Sequence, residues 1–356
     1  MATEKRNAWF GWLGASASLA GVAIASFWGL YLFDYFWADH WVAAGPPEGP
    51  LARYFHFAPG SIGDALGSLT GIVAAVLGII ITVVSIIVQL SAARFAGVTR
   101  MFLRDRVTLT VIGYYVVVCS IGVWLSVALQ ADYVPRTALV VMLSLTTASV
   151  VIMVPYFGYV FQFLEPMNII ARIRSLALHA ATRGTVEADA QRSSLLQEQT
   201  LSALEELTDI ASASISGKDK IIASGAVDAI KDLTIRYAAR KATAQPQWFR
   251  IQGGIAKNPD FVAMDPESLA DLEQRRGWVE WKAMRQYLGI YNEALGGMRD
   301  INYLIAIDTR YIGEVAAQHG DDELIRLVYR FMNSYLRATL NARDVRTAYN
   351  VLNQYR

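Results

Sequence analysis

Apolar positions follow two patterns along this chain. Up to about residue 164 they form long unbroken runs, and beyond it they recur at steps of three and four among charged residues. The first pattern belongs to helices surrounded by hydrocarbon, which need roughly 20 apolar residues to cross a bilayer. The second belongs to amphipathic helices packed around a wet core. Four runs qualify as spans, at about 9–36, 62–93, 107–129 and 138–164. The expected architecture is all-α: a four-helix transmembrane domain over 1–165, followed by an α-helical cytoplasmic domain over 166–356.

The first run follows Lys5 and Arg6. It outlasts the apolar region of a cleaved secretory signal, roughly 7–15 residues, and reads as an uncleaved signal anchor. Trp9, Trp12, Trp28, Tyr31, Tyr35, Trp37 and Trp41 gather at its ends, where amphipathic rings favour the headgroup level. A connection rich in proline and glycine follows, with Gly45, Pro46, Pro47, Gly49 and Pro50. Lysine and arginine concentrate near residues 5–6, 94–106 and 172–183 and are sparse in the other connections. The positive-inside bias then predicts a multi-pass protein of the cytoplasmic (inner) membrane with both termini cytoplasmic. Arg94, Arg100, Arg104 and Arg106 form the expected cytoplasmic rim. They read as topology determinants and contacts to membrane lipids, with an ion-selecting ring as the alternative.

Within the second span, Gly63, Gly67, Gly71, Ala74, Gly78, Thr82, Ser85 and Gln89 recur at steps of four or three, one continuous stripe on an α-helix. Ile79, Ile80, Val83, Ile86 and Ile87 are expected on the other face. A stripe of small residues lets another backbone approach closely, as in GxxxG packing. Alternatively it lines an aqueous pathway hydrated by Thr82, Ser85 and Gln89. Either way it must meet protein or water, because an intramembrane glutamine without a partner is costly. The fourth span carries Ser144, Thr146, Thr147 and Ser149, then Pro155, which predicts a kink near Met153.

The run Ser85-Ile-Ile-Val-Gln-Leu-Ser-Ala-Ala-Arg94-Phe, followed by Phe102-Leu-Arg104-Asp105-Arg106-Val, resembles the signature of a bacterial family of predicted membrane proteins known as domain of unknown function 2254. Leu207-Thr-Asp-Ile-Ala211 is similar to that family's Asp-Ile-Ala helix. The family's Ser-Pro-x-x-Asn-Asp-Pro loop normally follows, whereas this chain has Ser216-Gly217-Lys218-Asp219. The resemblance is best over 62–175 and weaker to about 235. It implies a similar topology and lends no activity, so it assigns no functional residue.

In the expected cytoplasmic domain, Leu196, Leu204, Leu207 and Ile210 share one helix face, and Ala226, Ile230, Leu233 and Tyr237 another. Residues 245–264, with Pro246, Gly253, Gly254 and Pro259, read as a loop that either covers a surface or contacts a protein partner. Asp265 followed by Pro266 is a helix start. From 278 to 319 apolar positions alternate by three and four over about five heptads, including Leu288, Leu295, Asn302 and Ile305. This seam either joins copies of the chain or pairs with the last helix, Asp321 to Arg356, as a hairpin. That helix shows no stop signal, which leaves the natural end beyond Arg356 open.

Composition changes this picture little. Hydrophobic residues are 54% and charged residues 18% of 356, consistent with a membrane half and a wet half. A net charge of +1 gives no reason to expect nucleic acid. Cys119, the single cysteine, has no disulfide partner in the chain. HExxH, GxSxG, P-loop and Rossmann patterns are missing, and His40, His56, His179 and His319 are isolated. No enzyme, cofactor or metal is therefore expected. Asp228 and Asp232 read as a solvated helix face, and Asp34 as a carboxylate reaching for the interface, with attraction of cations at an outer mouth as the alternative. The expectation is a homo-oligomer that forms or gates an ion or small-solute pathway, with a membrane-anchored scaffold or accessory subunit as the alternative.

Overall fold

A computed structural model describes residues 59–92, 98–103, 105–128 and 136–355, together with Gly21, Ala25, Gly29 and Leu32. Every regular element among the described residues is helical. Contacts divide the chain into a membrane unit, Met1–Leu90 with Thr99–Leu164, and a second unit, Glu165–Arg356 together with Ser91–Val98.

The membrane unit contains α1 (Pro59–Ala92), the short α2 (Val98–Leu103), α3 (Arg106–Ala128) and α4 (Arg136–Leu164). Three segments are long and apolar enough to cross a membrane: Ile62–Gln89, Arg106–Ala128 and Thr137–Leu164. Three of the four expected spans are thus present among the described residues, and the expected first span, 9–36, lies almost wholly outside them. At about 1.5 Å per residue, the 28 residues of the first segment extend about 42 Å, so the helix tilts or reaches into the headgroups. α4 continues through Pro155.

Hydroxyl groups join α3 to α4. Tyr114 Oη donates to the Leu145 carbonyl at 2.7 Å, and Tyr115 Oη to that of Ser149 at 2.5 Å. α1 meets them where Gly122 leaves room: a Cβ there would collide with Thr70 Oγ1 and lie 2.9 Å from Met142 Cε.

The second unit begins with α5 (Pro166–Val186), α6 (Ala190–Ser216) and α7 (Lys220–Lys241), which pack on one another. Beyond the short α8 (Gly254–Lys257), α9 (Pro259–Val262) and α10 (Pro266–Gln274) come α11 (Trp278–Leu295), α12 (Arg299–His319), α13 (Asp322–Asn341) and α14 (Val345–Leu352). Aspartates start many of these helices by accepting an otherwise unpaired N–H: Asp219 from Ile222, Asp265 from Ser268, Asp321 from Leu324 and Asp344 from Thr347.

Residues 245–264 are a folded part of this unit. They form a 3₁₀ turn, Pro246–Phe249, followed by α8 and α9, and they bury Trp248, Phe249, Ile255 and Phe261 in a common core. The Trp248 indole donates to Tyr237 Oη at 3.0 Å, and its carbonyl accepts from Gln197 Nε2 and Trp278 Nε1, both at 2.8 Å. Gly184 on α5 lies flat against this ring, and a Cβ there would overlap Trp248 Cζ3.

The expected continuous heptad helix over 278–319 is two helices, α11 and α12, parted at Gly296–Met298. Two adjacent glycines carry the highest backbone entropy cost at the point where the helix stops. Asn302, one of the expected seam positions, is buried and donates from Nδ2 to the Tyr291 carbonyl at 2.6 Å, which ties α12 back to α11. Ile305 is buried and Leu288 and Leu295 are half-buried in the same unit. The last helix is likewise split, at Arg343 with φ of 57°, into α13 and α14. α13 packs on α11 and α12, and the Tyr291 and Tyr335 rings stack at 4.7 Å.

Replacing Gly184 by valine should lower thermal stability, because the Trp248 indole has no space into which to move. Overpacking of this kind costs about 1–3 kcal/mol, or about 2–10 °C in Tm for a unit of this size. A melt of the detergent-solubilised protein followed by tryptophan fluorescence measures it, and an unchanged midpoint would contradict the packing.

Candidate functional site

Gly67, Gly71, Ala74, Gly78, Thr82, Ser85 and Gln89 all lie on the exposed side of α1. The buried side is Ile62, Leu66, Val73, Ile80 and Val88. Ile79 and Ile86, expected opposite the stripe, are exposed beside it, each at 52%. A Cβ built at Gly67, Gly71 or Gly78 meets nothing within 4 Å. The stripe is therefore not the surface by which α1 joins α3 and α4.

Hydroxyl chemistry within the stripe is partly internal. Thr82 Oγ1 donates to the Gly78 carbonyl at 2.8 Å, the usual resort of a hydroxyl on a helix in hydrocarbon. In the same way Ser144, Thr146, Thr147 and Ser149 donate to the carbonyls of Val140, Met142, Leu143 and Leu145. Gln89 is exposed, and its amide bonds to no described residue.

The arginine rim is reached only in part. Arg94 and Arg104 lie outside the described residues, Arg100 lies in α2, and Arg106 is exposed at the start of α3. Between the last two arginines sits a group whose role the sequence alone left unassigned. Asp105 Oδ2 accepts from the backbone N–H groups of Val107 at 3.1 Å and Thr108 at 3.2 Å, and from Tyr159 Oη at 2.6 Å. One carboxylate thus caps α3 and holds α4 beside it. The signal was the Arg104-Asp105-Arg106 turn itself, whose aspartate stands immediately before an apolar run.

The second unit encloses three networks of shared charge. Lys282 Nζ, 1% exposed, meets Glu205 at 2.8 Å and Asp260 at 2.7 Å and donates to Asn258 Oδ1 at 3.0 Å. Lys241 Nζ lies 3.1 Å from Glu280 and 2.8 Å from Asp321, and burial raises the Glu280 carboxyl above the usual carboxylate range. Lys231 Nζ bridges Asp228 at 2.6 Å and Asp308 at 3.2 Å, while Arg174 holds Asp232 at 2.8 Å. Asp228 and Asp232, expected on a solvated face, therefore each have a cation. Burial pushes the Asp308 carboxyl up to about 7, against the pull of Lys231. Among the described residues no three His, Cys, Asp or Glu side chains converge as metal ligands.

A family model described as "Predicted membrane protein (DUF2254)" matches residues 8–245. It extends beyond both ends of the stretch in which the sequence motifs are clearest and stops just before Trp248. No curated protein and no solved structure matches the chain.

Because Asp308 binds its proton more tightly in the folded state than in an unfolded chain, its contribution to stability is fullest below about pH 4 and is lost as pH rises through about 7. Asp308→Asn should flatten the fall in Tm between those limits. Paired melts across that range test this, and an unaltered slope would show that Asp308 does not titrate there.

Proposed function

The chain belongs to the domain of unknown function 2254 family of predicted membrane proteins, and on that footing we propose a homo-oligomer whose α1 helices surround or gate a path for an ion or small solute. The observation that carries this reading is the open stripe on α1 that ends in Gln89. Hydrocarbon cannot satisfy a glutamine amide. A helix that meets α3 with its other side, where Thr70 lies at Gly122, has this side left for another copy or for water. Glycines at 67, 71 and 78 permit close approach of equivalent helices, and a closed ring of them would place Ser85 and Gln89 toward a common axis. Assembly is assigned to α1 because Asn302 and Ile305 of the heptad pattern are interior to the second unit.

In this reading both termini and the second unit are on the cytoplasmic side of the inner membrane, as the arginines at 94–106 and 172–183 favour. The alternative, a membrane-anchored scaffold or accessory subunit, draws on residues 246–356, which add surface beyond the family match.

Native mass spectrometry of nanodisc-extracted protein, paired with K⁺ and Cl⁻ flux from proteoliposomes, tests the proposal. A closed ring is expected, with flux reduced about tenfold or more by Gly78→Leu or Gln89→Leu. Unchanged flux in an intact ring would remove the pathway, and a monomer recovered only with other proteins would favour the scaffold.

A further inference from the structure

The last two helices carry a pattern that neither the core nor the α1 stripe uses. Between Leu324 and Arg356 the sequence has six arginines and one acid, Asp344, in a chain whose net charge is only +1. That acid is engaged within the fold: it accepts from the Thr347 backbone at 3.1 Å and hydroxyl at 2.8 Å and pairs with Arg299 at 2.8 Å. Arg326 pairs with Glu323 at 3.0 Å. Arg330, Arg337, Arg343 and Arg346 are exposed, and none of them forms an ion pair among the described residues. Asp300, within electrostatic reach of Arg346, is held by Lys220.

These arginines sit among large exposed apolar side chains. On α13, positions 326, 330, 333, 337 and 340 fall at steps of four and three and make one outward stripe that ends in Leu340, 58% exposed. On α14, Val345, Tyr349 and Leu352 repeat the spacing and are 77%, 66% and 51% exposed. The chain beyond α14 returns to the α13 stripe, where Tyr355 Oη donates to Asn333 Oδ1 at 2.9 Å and its ring lies 6.3 Å from that of Tyr329. The two stripes therefore border one surface. Single exposed apolar residues are ordinary, but four of them set among four unpaired arginines are not.

We propose that this α13–α14 face rests on an anionic lipid surface. Arg330, Arg337, Arg343 and Arg346 meet headgroup phosphates, and Val345, Tyr349 and Leu352 enter the boundary of the acyl region. Basic residues interleaved with aromatic and aliphatic ones bind such interfaces through combined charge attraction and apolar burial. A polyanion such as RNA would satisfy the arginines but leave Val345 and Leu352 in water. The bilayer is also at hand, because the described residues of the same chain include three membrane-length apolar helices and a tethered surface meets its partner at high effective concentration.

The test uses the full chain in nanodiscs, with Cys119→Ser and Val345→Cys labelled by the environment-sensitive dye NBD. Phosphatidylcholine alone is compared with phosphatidylcholine plus phosphatidylglycerol. The anionic discs should give a blue-shifted, several-fold brighter emission that lipid-borne doxyl groups quench and high salt reverses. Arg330→Glu, Arg337→Glu and Arg346→Glu together should abolish the gain, and the salt titration of the unreversed protein decides the same question if that variant does not fold. A water-like spectrum in both lipids overturns the proposal. So does an equal shift in both that charge reversal leaves alone, which would mark contact with a second copy, or a shift abolished by ribonuclease, which would mark RNA.

Discussion

Hydrocarbon offers the peptide group no hydrogen-bond partner, and the membrane unit is organised around that fact. It makes the three apolar segments helical, and it turns the side-chain hydroxyls inward to the preceding turn. Thr82 donates to Gly78, Thr146 to Met142 and Thr147 to Leu143. Among the described residues, the groups that join one helix to another include tyrosine hydroxyls that reach spare carbonyl lone pairs, an aspartate at the start of α3, and the gap at Gly122. The same constraint makes Gln89 informative, because its amide finds no partner on the described helices.

The second unit obeys a different constraint, the burial of tryptophans that each carry one N–H donor. Trp248 gives its indole proton to Tyr237 and receives Gln197 and Trp278 at its carbonyl. Gly184, within the family match, supplies the flat wall against which the ring packs, while Trp248 itself lies beyond that match. Residues on both sides of the boundary thus share one core, and 166–245 and 246–355 stand as one folded body.

Buried lysines in this unit are matched with carboxylates from distant helices, as in Lys282 with Glu205 and Asp260. Breaking such a pair strands a charge, whereas forming it yields little net stability, so its chief effect is to specify which helices meet. The outer face of α13–α14 is the converse, with arginines that the fold leaves unpaired. Charge in this protein is thus balanced inside the second unit and left open on one of its surfaces.

The membrane-length runs, the helical periodicities and the helix start at Asp265 were legible in the sequence because each depends only on neighbours within a turn or two. The identity of the Gly/Thr/Ser/Gln stripe was legible for the same reason. Which side of α1 the stripe occupies relative to α3 and α4 was not, since spacing places residues on a common face but cannot say what that face meets. The seam at 278–319 shows the limit most clearly. Heptad spacing reports a buried stripe whether the partner is another chain or the next helix, and only the fold of Gly296–Met298 turned it inward. The 245–264 segment had the composition of a loop, yet its Trp248, Phe249, Ile255 and Phe261 found a core built from helices far away in sequence. Local sequence determined the elements and their faces; the tertiary structure decided what each face meets, because pairing distant faces depends on shape and charge that no local window contains.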